Sequence, residues 1–128
     1  MRINLTSVMV DDQAKAETFY TGTLGFVKKH DIDMGEHRWL TVVSPEGGAT
    51  QLLLEPNAHP AGKTFQAAIY ADGIPAACFE VDDIQAEFER LGAAGVHFKR
   101  EPMDIGPAWI AILDDTCGNY IQLVQEKR

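Results

Sequence analysis

The sequence lacks the features that mark secreted and membrane proteins. It contains two cysteines, Cys78 and Cys117, without CxxC spacing, which are too few for a disulfide framework or a cysteine-rich zinc site. No run approaches the roughly 20 apolar residues of a membrane span, and the stretch from Met1 to Asp12 has no apolar core of a signal peptide. We therefore expect a cytoplasmic protein with reduced thiols and no membrane association.

Basic residues are also scarce. The 128-residue chain carries 11 Lys and Arg against 19 Asp and Glu, which gives a formal net charge of -8 at pH 7. Because binding to nucleic-acid phosphates requires clustered Lys and Arg, we expect no nucleic-acid partner. The acidic balance also disfavours strongly anionic ligands. The hydrophobic share of 45% is sufficient for a core in a chain of this length.

The chain contains an internal repeat. A shift of 71 positions aligns Val10-Asp11-Asp12 with Val81-Asp82-Asp83, and Gln51-Leu52 with Gln122-Leu123. The two halves are therefore copies of one unit, and neither copy is expected to close a core alone.

Each copy predicts the order strand, helix, strand, strand, strand. Apolar alternation indicates the strands; Asp12 is the predicted N-cap of the first helix, and Asp82 or Asp83 opens the second. The predicted strands cover about 5–10, 26–32, 38–43 and 50–55 in the first copy, and 76–81, 96–100, 108–113 and 119–125 in the second. This order predicts an α+β fold of two tandem βαβββ modules, 1–55 and 76–128, forming curled sheets around a cavity with the helices outside. A connecting segment, 56–75, carries a short helix around 63–70.

Strand alternation predicts which side chains line the cavity. The uniformly apolar set that includes Val8 and Leu52 is assigned to the helix side, so every second residue in between faces the cavity. Aromatic walls with a few polar groups suit a flat organic ligand, although core or interface packing explains tryptophans equally well. The predicted substrate-binding residues are Ser7, Trp39, Gln51, Glu80, Trp109, Tyr120 and Gln122.

Two segments resemble a known superfamily. The stretch from Val8 to Phe26, with V-M-V-D-D, F-Y and L-G-F, resembles the opening of vicinal oxygen chelate modules, which occur in glyoxalases, bleomycin-resistance proteins and extradiol dioxygenases. The stretch from Asp115 to Leu123, D-T-C-G-N-Y-I-Q-L, resembles the closing turn and strand of such a module. The resemblance implies paired βαβββ modules, often in a homodimer, and a divalent metal held by His and Glu of the first and fourth strands.

The residues at the matching positions do not suit that metal. Leu5 and Ala76 stand at the first-strand positions, and Gln51 and Gln122 match the fourth-strand glutamates. Because hard divalent cations prefer charged oxygens or imidazole nitrogens, neutral amides facing Leu and Ala make a poor site. The four histidines form no HxH or HExxH pair, which favours surface or turn positions for them. We therefore expect no metal and no cofactor.

These patterns favour a homodimer that binds a small organic molecule without the family metal, in a sequestering or resistance role. No catalytic residue is identified. The alternative is a glyoxalase-like lyase, isomerase or dioxygenase that uses a divalent metal or a cavity carboxylate, for which Glu80 and Glu55 are the candidates. Both carboxylates also fit solvated strand ends. A third hypothesis is a module without a ligand, with its cleft filled by Leu5, Met9, Leu53 and the tryptophans.

Overall fold

The computed structural model describes every residue from Met1 to Arg128, and the chain divides into two compact units, Met1–Thr64 and Phe65–Arg128. The predicted α+β order of two βαβββ modules is confirmed. None of the helices is long and apolar enough to cross a membrane. The elements are β1 (Leu5–Val10), α1 (Gln13–Glu17, continued by a π-helical turn, Thr18–Thr23), β2 (Val27–Asp33), β3 (Arg38–Val43), β4 (Gln51–Pro56), α2 (Pro60–Ala71), β5 (Ala77–Glu80), α3 (Ile84–Ala93), β6 (Phe98–Asp104), β7 (Ala108–Asp114) and β8 (Tyr120–Glu126).

The first unit is a four-stranded sheet in the order β1-β4-β3-β2, with α1 packed against β3 and β4. Strand β1 runs parallel to β4, and the other pairs are antiparallel. The helix begins at Asp12, whose side chain accepts a hydrogen bond from Lys15 N, as the sequence predicts. Burial of each large apolar side chain contributes roughly 1.5–3 kcal/mol. The buried core between helix and sheet comprises Val8, Val10, Ala16, Phe19, Tyr20, Leu40, Val42, Leu52 and Leu54.

Gln13 fixes the position of α1 on the sheet. Its Nε2 donates to the carbonyl oxygens of Arg38, at 2.7 Å, and Leu54, at 2.9 Å. Its Oε1 accepts from the backbone N–H of Arg38 at 2.9 Å. One side chain therefore joins the helix to two neighbouring strands.

The second unit repeats this arrangement in the order β5-β8-β7-β6, with α3 against β6, β7 and β8. Asp83, one of the two residues that the sequence offers as the cap, caps α3 by accepting from Ala86 N. Strand β6 extends beyond the predicted 96–100 because two register shifts let it stay paired with β7 as far as Asp104. It contains Pro102, which an edge strand tolerates because its outer N–H groups have no ladder partner.

The turn between β7 and β8 is held by a buried carboxylate. Asp115 is fully buried, and it accepts hydrogen bonds from the backbone N–H groups of Cys117, at 2.7 Å, and Asn119, at 3.0 Å, and from Asn119 Nδ2 at 2.8 Å. Gln66 of α2 donates to Cys117 O and to Asn119 Oδ1. The Asp and Asn of the D-T-C-G-N segment therefore stabilise the turn itself, and Cys117 within it is buried.

Candidate functional site

The strand register of the first unit gathers three of the predicted binding residues on one face. Leu5 pairs with Gln51 and Ser7 with Leu53, while Thr41 of β3 pairs with the same Leu53. Residues paired across neighbouring strands share a face, and Trp39 lies two residues before Thr41 on the same strand. The face that carries Ser7, Trp39 and Gln51 is opposite to the one that packs on α1, and we call it the Gln51 face.

The Gln51 face combines exposed polar and apolar surface. Ser7 is exposed, and the Trp39 side chain is 37% exposed beside its cross-strand partner Ile32, at 50%. The first turn of α2 approaches the other end of β1, where a Cβ on Gly62 would lie 2.9 Å from Met9 Sδ. The antiparallel register that pairs Thr41 with Leu53 sets Trp39 across from Glu55, so the indole lies toward one end of the face and Gln51 toward the other, with Ser7 between them.

The side-chain amide of Gln51 has an unsatisfied oxygen. Its Oε1 is buried without a hydrogen-bond partner. The amide carries no charge, and Leu5 is its neighbour on β1. Gln51 therefore carries an unused hydrogen-bond acceptor and no electrostatic charge.

In the second unit the corresponding face carries Cys78, Glu80, Tyr120 and Gln122, and we call it the Gln122 face. Cys78 pairs with Gln122 and Glu80 with Val124. On the other side of β8, Asp114 pairs with Tyr120.

Ala76 does not stand where the repeat places it. The 71-residue shift puts Ala76 beside Gln122, as Leu5 is beside Gln51, but the residue beside Gln122 is Cys78. The shift of 71 aligns the helix caps and the last strands of the two units. On the first strand of the second unit, however, the residue that pairs with Gln122 lies closer in sequence to its cap, Asp83, than Leu5 lies to Asp12. The first-strand position there holds a thiol, and Gln122 Nε2 donates to Cys78 Sγ at 3.6 Å.

Trp109 is on the face opposite to the predicted one. It pairs with Gln125 and shares its face with Leu123, which belongs to the helix side of the sheet. The two tryptophans differ by one residue from the repeat register, and a one-residue offset in a strand reverses the face. The ring of Trp109 lies 5.2 Å from Lys127 Nζ, measured to the centroid. Trp109 is therefore separated from Gln122 by the sheet.

Tyr120 is on the Gln122 face, but its ring packs against other residues of the second unit. Its ring stacks on Tyr70 of α2 with centroids 4.4 Å apart and planes 3° from parallel, and Lys99 Nζ is 5.1 Å from its centroid. Tyr70 donates its hydroxyl proton to Asp114 Oδ2 at 2.5 Å, and this hydrogen bond raises the pKa of Tyr70. Sequence reasoning missed Tyr70, because nothing in its helical pattern signals a contact with a strand far along the chain.

Glu80 has the surroundings of a solvated residue. Its carboxylate pairs with Arg128 Nη2 at 2.6 Å, and the two side chains are 52% and 71% exposed. Such exposed pairs contribute little to stability. This environment leaves the carboxylate in contact with solvent and paired with a cation.

The donor set does not fit the superfamily metal. Leu5 beside Gln51 and Cys78 beside Gln122 provide neutral amides, an aliphatic chain and a thiol. Divalent ions of the hard class prefer charged oxygens or imidazole nitrogens, and neither pair offers one. No group of three or more His, Cys, Asp or Glu side chains in the structure could hold a metal ion.

The first unit also has an open depression of about 800 Å³ that sequence reasoning did not predict. It lies at the start of α1 and the β2–β3 hairpin, and its lining includes Asp12, Asp31, His37 and Lys63. Arg38 binds Asp31 through Nε at 2.9 Å and Nη2 at 2.7 Å, and with Lys28 it lowers the pKa of Asp31 to about 2. Two carboxylates that line the depression therefore already have partners within the unit: Asp12 caps α1, and Asp31 pairs with Arg38.

The fold and these positions define the class of protein. The family model of the Glyoxalase/Bleomycin resistance protein/Dioxygenase superfamily matches residues 2–123, so the chain belongs to this superfamily, as the opening and closing motifs predict.

Particular relatives share nearly its whole length. YurT of Bacillus subtilis (strain 168), an uncharacterized protein, is 53% identical over 127 residues, which cover 98% of this chain and 100% of YurT. The crystal structure of UcmS2 is 31% identical with a TM-score of 0.84, covering 97% of each chain. That of TnmS3, an antibiotic binding protein from Streptomyces sp. CB03234, is 30% identical with a TM-score of 0.80, covering 99% of this chain and 97% of TnmS3.

Proposed function

We propose that the protein is a cytoplasmic homodimer that binds and sequesters small, flat organic molecules without a metal, with the Gln51 face and the Gln122 face as the two candidate binding surfaces. The observation that carries the proposal is the register that brings Ser7, Trp39 and Gln51 onto one face. The similarity to TnmS3, an antibiotic binding protein, supports a binding role.

The chemistry of the faces defines the ligand class. Stacking of a ligand's aromatic ring on an exposed indole stabilises the complex by about 0.5–1.5 kcal/mol beyond the contribution of the buried apolar area. Ser7, Gln51 and Gln122 supply neutral hydrogen-bonding groups, and the net charge of -8 disfavours anions. A neutral or cationic aromatic molecule with polar substituents therefore suits these faces.

The residues at the metal positions and the surroundings of Glu80 favour binding over catalysis. A lyase, isomerase or dioxygenase of this superfamily needs a metal or a proton-transferring group at the ligand. The neutral amides do not suit the metal. Glu80 is exposed and paired with Arg128, an arrangement typical of a solvated carboxylate.

The two tryptophans provide the test, because Trp39 lies on the Gln51 face and Trp109 lies on the helix side of its own sheet. Their indole N–H signals in a ¹H–¹⁵N spectrum are assigned with the variants W39F and W109F. Flat aromatic compounds, beginning with 2-naphthol, are then titrated to millimolar concentration. We expect the Trp39 signal to shift saturably and the Trp109 signal to stay in place. A Trp39 signal that no compound moves, or a shift confined to Trp109, would reject the proposed binding face.

A further inference from the structure

Gln51 Oε1 is the only buried side-chain nitrogen or oxygen atom in the structure that lacks a hydrogen-bond partner. A buried carbonyl oxygen without a partner destabilises the folded protein, because water no longer solvates it. Native structures contain few such atoms, and each calls for an explanation. A leucine would fill the same volume without that cost.

Three other glutamines of the chain have a structural role, and their side-chain amides form hydrogen bonds within the protein. Gln13 makes three hydrogen bonds to the backbone, and Gln66 makes two within the β7–β8 turn. The Oε1 atom of Gln125 accepts from Ile84 N at 2.8 Å. Gln51 differs from these structural glutamines because its oxygen satisfies nothing within the protein.

We infer that Gln51 determines ligand specificity: its side-chain oxygen accepts a hydrogen bond from an N–H or O–H group of the bound molecule. The inference rests on the proposed function. Gln51 shares its face with Ser7 and Trp39, and the residue as a whole is partly exposed. The terminal torsion of a glutamine is soft, so a rotation of the amide turns the oxygen toward the face. The ligand class narrows to flat, neutral or cationic molecules that carry a hydrogen-bond donor, such as phenols and amides.

Thermal unfolding of the ligand-free protein tests the state of Gln51. The variant Q51L removes the unpaired oxygen, whereas Q66L removes an amide that bonds Cys117 O and Asn119 Oδ1. We expect Q51L to unfold at the wild-type temperature or above it, and Q66L to unfold several degrees lower. If Q51L loses as much as Q66L, Gln51 has a structural partner and the inference is overturned.

Paired probes test the hydrogen bond itself. 2-Naphthol and 2-methoxynaphthalene are uncharged and similar in size, but only 2-naphthol carries a donor. Titrations followed on the Trp39 indole signal should give the wild type about tenfold tighter binding of 2-naphthol, the size expected for one neutral hydrogen bond to a desolvated acceptor. In Q51L the ratio should fall to about one, with little change for 2-methoxynaphthalene.

The control is Q85L, which makes the same substitution on the exposed surface of α3, where Gln85 bonds Glu89. It should keep the wild-type preference. Equal affinities for both probes in the wild type, unchanged in Q51L, would leave the proposed function standing and refute the role of Gln51. A Trp39 signal that neither probe moves would reject the proposed function and the inference together.

Discussion

Cys78 stands directly beside Gln122 on neighbouring strands, and Gln122 Nε2 donates to its sulfur at 3.6 Å. The equivalent pair in the first unit is Leu5 and Gln51. Sulfur is a weak acceptor, so this contact orients the amide without holding it strongly. The two units thus present different chemistry at matching positions, a free thiol in one and an aliphatic side chain in the other.

The two cysteines should differ in reactivity. Cys78 is exposed and Cys117 is fully buried, so a maleimide should label the native protein once per chain, at Cys78. Mass spectrometry should show this single adduct disappear in C78S, and a second adduct should form in the wild type only after unfolding. Rapid labelling of both thiols in the native protein would contradict the placement of Cys117.

The carboxylate of Asp31 should titrate near pH 2. Arg38 and then Lys28 lower its pKa from 3.8 to about 2. Because the folded-state pKa is depressed, the stabilisation by this carboxylate is present above the ordinary value and is lost as the pH falls from 3.8 toward 2. Carbon-detected NMR of the carboxyl group should give this midpoint, and R38Q should move it up toward 3.8. A wild-type midpoint at the ordinary value would exclude the ion pair.

Gly118 should tolerate alanine less well than Gly25. Both have positive φ, +101° and +94°, so alanine strains either backbone by about 1–2 kcal/mol. Only at Gly118 would the new Cβ meet another group, Gln66 Nε2 at 2.7 Å, while the space at Gly25 is open. In urea unfolding G118A should lose about 1 kcal/mol more than G25A, because Gln66 must give up its hydrogen bonds to the turn. Equal losses would show that Gln66 moves without cost.

The chain should form a homodimer in solution. Strand β2 is an edge strand that is exposed along its whole length, and Val27 and Ile32 on it are each 50% exposed. Exposed apolar edges favour association with a second copy. Sedimentation equilibrium at micromolar concentration should give about twice the chain mass of 14.1 kDa, since interfaces of ordinary size persist there. A single 14.1 kDa species would contradict this prediction.

The sequence by itself determined the repeated strand and helix order, because that order depends on local signals. Asp12 and Asp83 cap their helices where the repeat places them, and period-2 alternation predicts that Val8 packs toward α1 while Ser7 points away. Caps and alternation act over a few residues, so a single sequence carries them. The superfamily followed from the order and duplication of these same features.

Only the tertiary structure decided which residues stand side by side across the strands. Register placed Cys78 beside Gln122 in place of Ala76, and it put Trp109 on the helix side. The stack of Tyr70 on Tyr120 likewise joins residues far apart in the sequence. Register depends on how many residues lie between a pairing position and the next cap or bulge, and on packing between distant segments. A repeat that aligns the caps fixes neither of these.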